Sequence, residues 1–103
     1  MTERGEFKIR NAKSISTFLG FEDHGIFTYI LYLDYGGSGQ GAGLIALGGE
    51  FTDNHIRGIL KTLEVESWED LPGRHIRAEA SSGCVRRIGH VLKDKWFTIV
   101  SDK

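Results

Sequence analysis

The residues with the most obvious chemical potential form a glycine-rich segment at 36–43. Within it, Gly37, Gly39 and Ala42 satisfy a loose form of the Gly-x-Gly-x-x-Ala pattern that holds dinucleotide phosphates. That chemistry requires a helix directly after the loop, because the amides and dipole of the helix N-terminus bind the phosphate. In this chain a strand-like run follows, and the helical pattern starts only at Thr52. We therefore interpret the segment first as a connection, with an anion-accepting loop and a close backbone contact to a partner as alternatives.

Histidine and cysteine side chains are too scattered to predict a metal site or a nucleophile. The four histidines include no pair at the helical i, i+3 or i, i+4 spacing of a metal site. The single cysteine, Cys84, lacks a nucleophile signature and cannot form an intramolecular disulfide. We predict no catalytic residue, no metal ion and no cofactor, and therefore a protein that is not an enzyme.

Basic residues concentrate near the C-terminus although the formal net charge of the whole chain is −1. The stretch from Arg74 to Lys95 has six Lys and Arg residues against Glu79 and Asp94. The first interpretation is a pair of solvated strand faces, because charge runs usually have that role. The alternative is a nucleic-acid contact. Trp68 and Trp96 are interpreted first as core or edge-packing residues, whereas an exposed Trp near Arg86, Arg87 and Lys95 would resemble an interaction hot spot.

Three sets of residues are candidate contacts with a partner. They are the glycine-rich set, the acidic turn and the basic set. The glycine-rich set is Gly36, Gly37, Gly39, Gln40 and Gly41. The acidic turn is Asp23 and His24, and the basic set is Arg86, Arg87, Lys93 and Lys95.

Apolar periodicity predicts an extended segment, a turn and a central strand in the first third of the chain. Residues 7–20 alternate as a half-buried strand, with a bend near Asn11-Ala12 and an inward set of Phe7, Ile9, Ile15 and Leu19. Residues 22–25 have the composition of a turn. Residues 26–35 are apolar on both faces, which is typical of a strand in the middle of a sheet.

The rest of the chain predicts one helix between further strands. A third short strand is expected at 44–47, and residues 52–63 have a helical apolar stripe, capped by Thr52 or Asp53. Gly58 inside that helix indicates close packing on a sheet. Strands follow at 74–80 and 85–100, the latter broken near Lys93-Asp94. We predict one α+β domain, 1–103, with a mainly antiparallel sheet of four to five strands, one helix on a face and the order β-β-(β)-α-β-β.

Distinctive motifs lie in five segments, at 9–12, 19–26, 33–41, 67–73 and 89–97, of which Asp-Tyr-Gly-Gly-Ser-Gly-Gln-Gly at 34–41 is the most specific. These motifs resemble those of a family of short uncharacterised proteins of tailed phages and prophages. The resemblance implies a viral or prophage origin and a site of action inside the host cell. Small phage proteins without catalysis often act by binding a host complex, including complexes of CRISPR and other defence systems.

The expected function is therefore that of a small phage-encoded binding protein, with inhibition of a bacterial defence complex as its proposed purpose. Two alternatives remain open: a nucleic-acid-binding module that uses the basic C-terminal strands, and a binder of small ligands or nucleotides that uses the glycine-rich loop. The polar N-terminus and the shortness of every apolar run predict a cytoplasmic protein without a membrane segment. A homodimer is also left open, because the central strand is apolar on both faces.

Overall fold

The structure, a computed structural model, describes residues 6–22, 24–45 and 49–99. It contains one antiparallel sheet of six strands and one α-helix. The elements in chain order are β1 (Lys8–Phe21), β2 (Phe27–Asp34), β3 (Gly39–Ile45), α1 (Gly49–Leu63), a 3-10 turn (Trp68–Asp70), β4 (His75–Ala80), β5 (Val85–His90) and β6 (Trp96–Thr98). The α+β prediction is thus confirmed, with more strands than expected.

The sheet is organised around its long first strand, in the order β3-β2-β1-β4-β5-β6. The first half of β1 pairs with β4 and the second half pairs with β2, with Lys13 opposite both His75 and Asp34. A bulge between Ser14 and Ser16 separates the two halves. Bulges bend a strand and increase its twist. The sheet curls so far that β3 approaches β5, although three strands lie between them.

The core fills the concave side of this curl, and α1 closes one end of it. Buried side chains of β2, β4 and β5 meet Ile59 and Leu63 of the helix. The hydroxyl of Tyr29 lies 2.5 Å from Nδ1 of His55 on the helix. Burial raises the pKa of Tyr29 and lowers the pKa of His55, so both side chains are neutral at physiological pH. The pair joins the start of β2 to the helix by a buried hydrogen bond.

The predicted inward face of β1 is wrong. Ile9, Ile15 and Leu19 are 51%, 53% and 41% exposed, whereas Ala12 and Ser14 are buried. Pairing with β4 places Ile9 opposite Glu79, on the side of the sheet away from the core. The bulge also lies two to four residues beyond the predicted bend, so it changes which later residues face inward.

Three other boundaries differ from the prediction. Most of the glycine-rich segment is strand β3, because pairing with β2 gives its backbone amides and carbonyls their partners. The expected strand at 85–100 is two strands, β5 and β6, with the break at the predicted place.

The helix begins at Gly49, so Thr52 and Asp53 lie inside it and neither caps it. Asp53 instead accepts a hydrogen bond from Arg57. The turn at 22–25 is confirmed by the bond from Gly25 N to Glu22 O.

Candidate partner-binding surface

The convex side of the sheet has no described element packed over its β4–β6 half. Cross-strand register puts two rows of side chains side by side there. One row runs from Ile9 through Glu79 to Arg87, and the next runs from Asn11 through Arg77 and Gly89 to Trp96. Since directly opposed residues share a face of the sheet, these residues form one continuous surface. We call it the Arg–Trp surface and define it as Phe7, Ile9, Arg77, Glu79, Arg86, Arg87 and Trp96.

The indole of Trp96 is the centre of this surface. A Cβ at Gly89 would lie 2.7 Å from Cε3 of Trp96, so the ring needs the glycine beneath it. The guanidinium carbons of Arg77 and Arg87 lie 4.7 Å and 4.3 Å from the ring centroid. Asp94 accepts a hydrogen bond from the indole nitrogen. Cation–π contacts and one hydrogen bond therefore hold a half-exposed Trp in a fixed orientation.

Glu79 fixes the other half of the surface. Its carboxylate pairs with Arg87 at 2.5 Å and with Arg86 at 3.1 Å. Burial alone would raise the pKa of Glu79, but hydrogen bonds from Arg86 and Arg87 outweigh that effect and lower it. The guanidinium of Arg86 also stacks on Phe7, at 4.0 Å from the ring centroid. A bulge beside Glu79 places the consecutive residues Arg86 and Arg87 on the same carboxylate.

Each of the three arginines of this surface donates at least one hydrogen bond within the protein. Arg77 donates from Nε to the carbonyl of His90 and from Nη2 to the carbonyl of Lys93, both at 2.8 Å. Arg86 and Arg87 donate to Glu79. What the surface presents is therefore a set of fixed planar groups next to Ile9, which is 51% exposed. Such groups lose little conformational entropy when a partner covers them.

The basic set predicted from the sequence does not form one site. Arg86 and Arg87 belong to the Arg–Trp surface, whereas Lys93 and Lys95 lie at the C-terminal end of α1. There the Nζ atoms of Lys93 and Lys95 lie 2.8 Å and 2.9 Å from Oε2 of Glu64, and His90 lies 3.5 Å from its other oxygen. Hydrogen bonds from Lys93 and Lys95 lower the pKa of Glu64 to about 2. These two lysines stabilise the end of the helix.

The glycine-rich set lies at the other end of the curl, beside the turn between β4 and β5. Tyr35 donates a hydrogen bond to Oε1 of Gln40 at 2.7 Å, and Nε2 of Gln40 donates to the carbonyl of Ser81 at 2.9 Å. A cleft of about 690 Å³ opens at this place. We call it the mouth cleft; its lining includes Gly39 and Gln40 of the predicted set, together with Lys8, Arg10, Tyr35 and Ser81.

The acidic turn is separated from both of these places. Asp23 lies outside the described residues, and His24 is exposed in the turn between β1 and β2, where its Nδ1 lies 3.5 Å from Glu22. This turn precedes β2 and the glycine-rich turn follows it, so an eight-residue strand separates them. At about 3.3 Å per residue that is roughly 25 Å. The three predicted sets therefore belong to different parts of the surface.

The described residues contain neither a metal-binding cluster nor a membrane-spanning helix. Among residues 6–22, 24–45 and 49–99, no group of three or more His, Cys, Asp and Glu side chains is placed to hold a metal ion. Within the same ranges, no helix has the length and apolar character needed to cross a bilayer.

Sequence reasoning found part of the Arg–Trp surface and missed the rest. It selected Arg86 and Arg87 and noted Trp96, but it omitted Ile9, Arg77 and Phe7. Their proximity depends on the register of β1 against β4, which no local pattern encodes.

No family model, curated protein or solved structure matches the chain.

Proposed function

We propose that this protein is a non-enzymatic binding protein that docks an acidic protein surface on its Arg–Trp surface. The observation that carries the proposal is the fixed cluster of Trp96, Arg77 and Arg87 on a sheet face that no described element covers. Trp and Arg are the residues most enriched in the hot spots of protein interfaces. The surface has three arginines and one glutamate, which pairs with two of them, so a complementary partner carries acidic side chains.

The partner class and setting follow from the resemblance to phage and prophage proteins. On that basis we propose that the partner is a host protein complex in the bacterial cytoplasm. Inhibition of a defence complex such as a CRISPR effector is the proposed consequence of binding. It requires occupation of a functional surface on the partner and no reaction by this chain, which agrees with a chain proposed to lack catalysis.

A single-stranded nucleic acid is the second candidate for the same surface. The long β1 shared by β2 and β4, and the helix between β3 and β4, match the connectivity of OB-fold barrels, many of which bind oligonucleotides. In that fold the ligand crosses strands two and three, but β2 and β3 here contain no Lys or Arg. The stacked arginines Arg77 and Arg87 lie on β4 and β5, on the opposite half of the sheet. Their position away from β2 and β3 favours a protein partner.

The test compares capture by matched variants of the full chain. Tagged wild type, an Ile9→Ser/Arg87→Ala variant and a Phe21→Ser control are incubated with nuclease-treated bacterial host lysate. Phe21 is a suitable control because it is 71% exposed at the far end of β1. We expect the wild type and the control to recover the same protein complex and the double variant to lose it by about thirtyfold or more, as for a hot spot of about 2 kcal/mol or more.

Equal recovery by the double variant would contradict the proposed surface. Binding of a fluorescent single-stranded oligonucleotide, with a steep loss at higher salt and a loss in the double variant, would favour the second candidate. Light scattering of the wild type tests whether a second copy of the chain occupies this surface instead. A dimer that the double variant converts to monomer would assign the surface to self-association and overturn the host-partner proposal.

A further inference from the structure

The mouth cleft is formed at the open end of the curled sheet. The helix packs near the start of β2, through Tyr29 and His55, and near the end of β5, through Glu64 and His90. The cleft lies at the end of β2 and the start of β5, beside Tyr35 and Ser81. Ligand sites are common in the mouths of barrel-like sheets, and about 690 Å³ is within the usual size range of small-molecule sites.

The wall of the cleft is a fixed chain of hydrogen bonds. Tyr35 bonds to Gln40, and Gln40 bonds to the carbonyl of Ser81, so the glycine-rich turn is tied to the turn between β4 and β5. Burial raises the pKa of Tyr35 in spite of the charge of Arg10, so its hydroxyl remains a donor. The two turns that border the cleft are therefore held in place without any ligand.

Two cations line this cleft with open donors. Arg10 lies with its guanidinium carbon 4.0 Å from the centroid of the Tyr35 ring. The stack restricts the guanidinium but uses none of its N–H donors. Within the described part of the chain, neither Arg10 nor Lys8 makes an ion pair or a hydrogen bond through its side chain, unlike the arginines of the Arg–Trp surface. Among the described residues of the lining, Glu6 is the only acidic one against Lys8 and Arg10, so these residues have an excess of positive charge.

The glycine-rich turn itself is a poor anion acceptor. Its Tyr35 amide donates to the carbonyl of Ser38, and its Gly36 amide donates to Oδ1 of Asp34. The amides that a phosphate loop would offer are thus partly used inside the turn. The cationic side chains that line the cleft, Lys8 and Arg10, belong instead to β1.

We propose that the mouth cleft binds a small phosphate-bearing molecule, with Arg10 as its main phosphate contact and Lys8 as its second. A planar guanidinium presents paired donors that match two phosphate oxygens, and Lys8 adds a point charge two residues away on the same side of β1. Gln40, Ser38 and Ser81 are the polar groups available to the rest of the ligand. This inference does not rest on the proposed function, because the proposed phosphate contacts Arg10 and Lys8 are not part of the Arg–Trp surface, although Ile9 borders both sites.

The experiment is isothermal titration calorimetry of the full chain with AMP and with adenosine, which differ only in the phosphate. Inorganic phosphate is a third titrant, and a 5′-phosphorylated oligonucleotide distinguishes a free nucleotide from the end of a strand. The variants are Arg10→Gln and Lys8→Gln, with Arg57→Gln as a control. Arg57 is a suitable control because it is exposed on the helix and pairs with Asp53.

We expect wild type and Arg57→Gln to bind AMP equally and adenosine at least about tenfold more weakly, since a charged hydrogen bond is lost. Arg10→Gln should lose AMP binding by a similar factor, and Lys8→Gln by less. Amide spectra of the labelled chain should show shifts at Gln40 and Ser81 on AMP addition and an unchanged fold in Arg10→Gln. No heat with AMP, phosphate or the oligonucleotide at millimolar concentration would overturn the proposal, as would equal AMP binding by Arg10→Gln.

Discussion

Gly58 lies where α1 packs closely against the sheet. A Cβ at this position would overlap the ring of Phe97 on β6. Helix propensity alone predicts that Gly58→Ala stabilises the protein by about 1 kcal/mol. We expect the opposite sign, a loss of about 1–3 kcal/mol in the free energy of unfolding, because the ring must move out of a packed site.

Denaturant unfolding of Gly58→Ala and of Gly58→Ala/Phe97→Leu measures this effect. The second change makes room for the new methyl group, so part of the loss should be recovered in the double variant. A more stable Gly58→Ala protein would mean that the Phe97 ring moves aside without a loss of folding free energy. The close packing inferred for this position would then be wrong. The sequence predicted the contact from the glycine alone, but it could not name Phe97 as the neighbour.

At the scale of the element, the C-terminal end of α1 is held by one glutamate. Glu64 has a positive φ of 59° and receives ion pairs from Lys93 and Lys95 on the segment between β5 and β6. A carboxylate whose pKa is lowered from 4.5 to about 2 contributes stability that is complete above pH 4.5. That stability is lost as the pH falls through the folded-state value of about 2.

We therefore expect Glu64→Gln to lower the melting temperature at pH 7 and to do so progressively less between pH 4.5 and pH 2. Added salt should also reduce the difference, because these groups are partly exposed. Thermal unfolding across pH is the measurement, and Glu66→Gln is the control, since Glu66 is exposed and has no ion pair within the described ranges. A difference between Glu64→Gln and wild type that stays constant down to pH 2 would contradict the role of the ion pairs.

The elements that the sequence predicted are those with strong local periodicity. The helix, the turn at 22–25 and the central strand were found because their patterns depend on neighbours a few residues apart. β3 was missed as a strand over most of its length because glycine has low strand propensity, which pairing with β2 overrides. The inward face of β1 was wrong because a bulge and two different partners decide it, and both depend on distant residues.

For the whole molecule, the curl of the sheet accounts for where binding is proposed. One end of the concave side is closed by α1, and the other end opens as the mouth cleft. The convex side over β4–β6 carries the Arg–Trp surface. The basic residues were predictable as a set, but their division between this surface and the helix end was not. That division arises because Lys93 and Lys95 lie in the break between β5 and β6, where both side chains pair with Glu64.

The most direct test of the binding surface is an amide spectrum of the isotope-labelled full chain, recorded in buffer and in nuclease-treated bacterial host lysate. A partner that covers the Arg–Trp surface should selectively weaken the signals of Ile9, Arg77, Arg87 and Trp96, while those of α1 and of the turn between β1 and β2 persist. The same spectra of Ile9→Ser/Arg87→Ala should show no selective loss. Signals lost on α1 or at that turn instead, or lost equally in the variant, would contradict the proposal that this surface binds the partner.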